Sequence, residues 1–190
     1  GMIIPHHTVG GPTPPASFDY DPISVERLIE VYCCHGSSIG FDSGVQCYNH
    51  HLSGSVNEYL RSHFAGFTAG TDSHGFNLPF LSKLINYQPE LMTVLLRRSY
   101  GDGGLVGQDK GLTFVYVDER SRDGLWDGLW QRRTYASTGY PDLLMKLEVD
   151  DVLMGGEVYA NESVSVNARV KAGVPVEGLD LVLNGSVIDS

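Results

Sequence analysis

Ala65-Gly66-Phe67-Thr68-Ala69-Gly70-Thr71-Asp72-Ser73-His74-Gly75 is the stretch on which the reading of the fold turns. An apolar run, Ala65 to Ala69, leads into polar residues that Gly75 closes, the pattern of a buried strand ending in a tight turn. Side chains at i and i+2 of a strand point the same way. Asp72 and His74 are therefore expected to aim at one point just past the strand's C-terminal end. A carboxylate that can bridge two ions, beside an imidazole that binds one, suits a divalent metal. The plainer reading makes Asp72 the cap of a backbone group in the turn and His74 an exposed loop residue.

Two more stretches share this layout. Ile3-Ile4-Pro5-His6-His7-Thr8 is a short apolar strand running into polar residues. Adjacent strand residues face opposite sides, so His6 and His7 cannot both enter one site from a regular strand. Leu28-Ile29-Glu30-Val31-Tyr32-Cys33-Cys34-His35-Gly36-Ser37-Ser38 is a third apolar strand, ending in polar groups and a small-residue turn. Glu30, a carboxylate inside an apolar run, needs a cation or a metal as partner. His35 falls at the strand's end, within reach of a metal or a substrate phosphate. In barrels of parallel strands, the C-terminal strand ends are where active sites sit.

Ile3–Thr8, Glu30–Ser38 and Gly70–Gly75 together resemble the later motifs of the PHP (polymerase and histidinol phosphatase) superfamily, metal-dependent phosphoesterases built on a distorted (β/α)7 barrel. Gly111–Val117 and Arg132–Gly139 resemble a subgroup with a β-rich extension after the barrel. The resemblance spans residues 2–185 and is weak over Leu78–Lys110. It implies an α/β fold: the C-terminal portion of the barrel over residues 1–140, then a small antiparallel β segment over residues 141–190. It implies Asp72 and His74 as metal ligands, and His6 as the ligand matching the family's His-Pro segment, although His7 stands where that Pro is usual. His7, Glu30 and His35 are the further candidates for metal or substrate contact; on the family pattern the Glu stands near the site without ligating. The implied cofactor is a set of divalent ions (zinc, manganese or iron), and the implied reaction is hydrolysis of a phosphate ester by metal-activated water.

The family's first motif, a His-x-His pair, has no counterpart in this sequence. Gly1 ahead of Met2 resembles a residue left after removal of a purification tag. The expectation is thus an incomplete barrel with half its ligands, weakly active or inactive alone, which self-associates through an exposed barrel edge. Two other functions compete: a metal-dependent hydrolase of another bond such as an amide, and a non-catalytic, degenerate module.

Composition bounds these readings. With 13 basic against 23 acidic residues and a formal net charge of −10, the chain is a poor partner for nucleic acid, which is bound by neutralising phosphates. A small phosphorylated substrate remains compatible, because bound metal reverses the local sign. No apolar run approaches the ~18 residues of a membrane span. Cys33, Cys34 and Cys47 are odd in number and lack Cys-x-x-Cys spacing, which favours reduced thiols and a cytoplasmic location.

The remainder reads as scaffold. Ser55 to Phe64 has helical apolar spacing, with Ser55 and Glu58 as a capping box and His63 at the edge of the helix face. Ser121 to Arg133 reads as a second helix, capped by Ser121, with Leu125, Trp126, Leu129 and Trp130 packing on one side. Arg132 and Arg133 suit that helix's C-terminal dipole, with anion binding as the alternative. Leu78 to Tyr100 is helix-like and broken at Pro89. Asp102 to Gly111 is a Gly-rich loop, and Gly44 to Gly54 a polar loop carrying His50 and His51. Ser163 to Lys171 alternates as a half-buried strand. Leu179, Leu181 and Leu183 mark another strand, turned by Asn184-Gly185 in a type I′ hairpin.

Overall fold

The computed structural model of the chain describes residues 1–6, 8–9, 15–21, 23–33, 36–39, 54–70 and 111–190. The expectations placed on His7, His35, Asp72 and His74, on Leu78–Tyr100 and on most of both loops lie outside the described residues.

The apolar run at 28–33 forms β1 (Leu28–Cys33), and every residue in it is buried. On one side it pairs in parallel with β3 (Gly66–Ala69), in the register Leu28 to Gly66 and Glu30 to Thr68. At its end it pairs antiparallel with β2 (Gly36–Ser37). The N-terminal segment runs alongside in the same direction as β1. Ile3 bridges Glu26 in parallel, and the Glu30 N–H donates to Pro5 O at 3.1 Å. Between β1 and β3 lies one helical turn, α1 (Val56–Tyr59), whose N-cap Ser55 accepts from the Glu58 N–H. Its Val56 and Tyr59 close the core with Ile29, Val31, Tyr32 and Ala69.

β4 (Leu112–Val115) and β5 (Thr134–Ser137) pair antiparallel around α2 (Arg122–Trp130). The Thr113 hydroxyl joins this pair to β3: it donates to Ala69 O at 2.8 Å and accepts from the Ala69 N–H at 3.0 Å. α2 is capped by Ser121 as expected, but it packs through Gly128, whose missing side chain lets the helix rest on Tyr116 O. Leu125 and Trp126 are half exposed, so the apolar stripe predicted to be packed is only partly so. Trp130 stacks on Trp126, and the Arg27 guanidinium lies over the Trp130 ring, 5.4 Å from its centroid.

From here the chain is all β. β6 (Leu144–Val149) lies between β7 (Val152–Leu153) and β8 (Val166–Lys171), antiparallel to both. β9 (Leu181–Leu183) and β10 (Ser186–Asp189) form a separate hairpin. Its turn residues Asn184 and Gly185 have φ of 51° and 78°, the doubly positive pair of a type I′ turn. Two hydroxyls tether β6 and its approach to the preceding sheet: Tyr116 donates to Met145 O at 2.9 Å and Tyr135 to Leu143 O at 2.8 Å.

This architecture overturns the α/β barrel. The described residues form four sheets of two or three strands and two helices, with no closed barrel among them. A (β/α)7 barrel needs successive strands paired in parallel, each followed by a crossover helix. Among the described strands only β1 with β3 is paired in parallel. β2 turns straight back on β1, and β4 pairs antiparallel with β5. The apolar runs that mark strands carry no information about strand direction; the all-parallel order was what the resemblance implied. The self-association expected at a barrel edge loses that edge with the barrel. β8 also departs from expectation. It is an edge strand with only Val170 partly covered, so its alternation marks the two sides of a ribbon rather than a buried face. No helix among the described residues is long and apolar enough to cross a membrane.

Candidate functional site

The parallel run of the N-terminal segment, β1 and β3 places three strand ends side by side. The Pro5–Glu30 backbone bond sets His6 beside Glu30, and the His6 Nδ1 lies 2.7 Å from Glu30 Oε2. An ionised carboxylate only accepts hydrogen bonds, so the imidazole donates through Nδ1. Glu30 is buried and the His6 side chain is 44 % exposed, so the pair spans the boundary between core and solvent. The cation or metal that Glu30 requires inside an apolar strand is thus met at least in part by an imidazole.

Glu30 also reaches the end of β3. Its Oε1 lies 3.8 Å from where a side chain on Gly70 would begin, and Gly70 is the first residue of Gly70-Thr71-Asp72-Ser73-His74-Gly75. The Gly70 N–H donates to Tyr32 O at 3.0 Å. Just before this point the β1–β3 register slips between Glu30 and Tyr32, an irregularity that re-aims side chains at a strand end. Gly111 presses on the same corner. A Cβ there would stand 2.5 Å from Gly70 O, so only glycine lets the chain return this closely.

The sequence reading thus has two of its site residues, His6 and Glu30, in contact beside the start of the Asp72–His74 motif. The donor chemistry fits a divalent metal. An imidazole held through one nitrogen by a carboxylate is the arrangement that fixes tautomer and orientation in metal-binding histidines. His6 is then the residue that would hold the ion, and Glu30 the one that would orient it. Among the described residues no group of three or more His, Cys, Asp and Glu side chains could hold a metal by itself.

A second polar cluster was not foreseen. His63, expected at a helix edge, is 2 % exposed. Its ring stacks on Tyr59 with centroids 4.4 Å apart and meets Tyr20 edge-on at 5.0 Å. The Tyr20 hydroxyl donates to Glu26 at 2.8 Å. Burial, then the Glu26 hydrogen bond and charge, push the Tyr20 phenol up to about 12. Burial and the Glu26 charge also push Tyr59 up. Tyr59 Oη and His63 Nε2 are buried without a hydrogen-bond partner among the described residues. The capping box hinted at the helix. Nothing in the spacing of Tyr20, Glu26 and His63 announced that they would meet.

Compared with protein-family models, curated proteins and solved structures, the chain matches none.

Proposed function

We propose that the chain takes part in metal-dependent hydrolysis of a phosphate ester, with His6 as a metal ligand oriented by Glu30 and with Asp72 and His74 as further ligands. The observation that carries this reading is the 2.7 Å contact between His6 Nδ1 and Glu30 Oε2, with the same carboxylate against Gly70. The order of Ile3–Thr8, Glu30–Ser38 and Gly70–Gly75 along the sequence supports a relation to the PHP superfamily's motifs, without its barrel.

Glu30 accepts the Nδ1 hydrogen of His6, which fixes the ring's orientation and raises the basicity of its other nitrogen. Burial of Glu30 keeps that carboxylate from turning to water. A divalent ion held there would supply an acidified water and polarised phosphoryl oxygens, and in a chain of net charge −10 it would offset the repulsion of a small anionic substrate.

A two-substrate assay tests this. With Mn²⁺ or Zn²⁺ supplied, the expected outcome is slow release of nitrophenol from 4-nitrophenyl phosphate, no cleavage of 4-nitroacetanilide, and loss of that turnover on chelation. Glu30→Gln is expected to lower metal affinity or turnover about 10- to 100-fold. Cleavage of the anilide in place of the ester moves the reading to an amide hydrolase. Ester turnover indifferent to chelation contradicts it.

A further inference from the structure

At the opposite end of β3 from His6 and Glu30, the β-rich extension and the preceding sheet leave a cleft of about 370 Å³ between them. That volume is at the small end for ligand pockets. Its walls are mostly apolar and include Phe67, Tyr135, Met145, Leu147, Val152 and Met154. The two methionines supply soft, adaptable surface of the kind that accepts varied apolar shapes.

One wall is not apolar. Arg132 also lines the cleft, and its side chain is 11 % exposed. It follows α2 in the left-handed conformation, φ 60°, and is clasped by the segment after β7. Its Nε donates to Gly155 O at 3.0 Å and its Nη2 to Glu157 Oε1 at 2.8 Å. Gly155 sits against the Arg132 backbone at φ 92°, where a Cβ would stand about 2.5 Å from the Arg132 carbonyl. A guanidinium carries five N–H donors, and the remaining ones have no partner among the described residues. Beside Arg132 in the lining is Thr134, itself buried, whose Oγ1 likewise lacks a partner among the described residues.

Arg27 is held nearby by the Trp130 carbonyl and ring. Burial, and after it the Arg132 charge, draws the Arg27 guanidinium below its ordinary range, so the two cations feel one another. Glu157, bonded to Arg132 and well exposed at the rim, is the carboxylate that offsets them. The Arg132 guanidinium in the wall of an apolar cleft is complementary to an anion with an apolar body.

We infer that this cleft binds a small amphipathic carboxylate, with its head on the Arg132 guanidinium and its hydrocarbon chain along Met145 and Leu147 of β6. Calorimetric titration of the full chain with octanoate, and with 1-octanol as the uncharged counterpart, tests it. The parent takes up one octanoate per chain. Arg132→Gln weakens octanoate binding about tenfold or more and leaves octanol binding unchanged. Leu147→Trp, which fills the cleft, removes both. Each variant is checked for the parent's circular dichroism. Should Leu147→Trp fail that check, Val152→Phe fills the cleft from the neighbouring strand and replaces it. The inference is overturned if the parent takes up no octanoate, if Arg132→Gln binds it as tightly as the parent, or if binding survives in a folded, filled variant.

Discussion

The sheet around β1 and the β-rich extension are built from similar apolar residues and use them in opposite ways. In β1 all six residues are buried, including Glu30, and the strand is covered by β3 on one edge and by α1 on a face. In β8 five of six are exposed, and β10 is exposed throughout. Val182, Leu183, Val187 and Ile188 stand in solvent on the terminal hairpin. Apolar content therefore does not say where the stability lies. A buried strand contributes through area removed from water, whereas an exposed ribbon relies on its ladder and turn, which alone are marginal in water. The difference also sorts the chemistry: a buried carboxylate is held within the covered strand, beside the end of β3, while the extension offers a cleft where its β6 side meets the preceding sheet.

The largest expected effect breaks this comparison if it fails. Ile29→Ala removes a side chain of 0 % exposure from β1 and should destabilise the chain by about 3 kcal/mol. Val182→Ala, at 53 % exposure in β9, should change stability by less than about 0.5 kcal/mol. Urea unfolding of both variants reads the contrast directly, and equal losses would mean that the hairpin is covered in solution.

Tyrosine hydroxyls sharpen it further. Tyr59 Oη is buried with no partner among the described residues, so Tyr59→Phe removes an unsatisfied group and should stabilise by about 1 kcal/mol. Tyr116 Oη donates to Met145 O and ties the extension to the sheet before it, so Tyr116→Phe should cost about 1 kcal/mol. Thermal unfolding of the two variants should move in opposite directions.

The smallest effect is one of pH. The folded chain holds the Tyr20 phenol neutral up to about 12, against about 10 when unfolded. Its contribution to stability is full below pH 10 and is lost as pH rises toward 12. Tyr20→Phe should flatten the fall in stability across that window. Ultraviolet titration of the tyrosines should lose one late-titrating component in the same variant.

Much of the local structure was legible because it is local. Continuous apolar runs gave β1 and β3, serine N-caps gave the starts of α1 and α2, and Asn184-Gly185 gave its turn; the helix expected through Phe64 stops at Tyr59. The Asp150-Asp151 turn between β6 and β7 went unread. Both residues adopt positive φ, 47° and 64°, without the glycine that usually marks such a turn, since Asp tolerates that region. Strand direction was not legible, and the barrel came from the resemblance alone. At the candidate site, the need of Glu30 for a partner followed from a charge in an apolar run. The identity of that partner did not, because His6 lies 24 residues away and is brought in by parallel alignment with the N-terminal segment. Arg132 was weighed as a helix-end cation. Its position at a cleft depends on Gly155 and Glu157, which reach it only through the fold.

Under the proposed function, His6 shares one metal site with the Asp72–His74 motif. Elemental analysis after equilibration with Zn²⁺ and dialysis tests it most directly, on the parent, His6→Ala and the Asp72→Ala/His74→Ala double variant. Bound metal in the parent that is lost in both variants is the predicted result. A parent without metal, or metal retained when either set of ligands is removed, would contradict it.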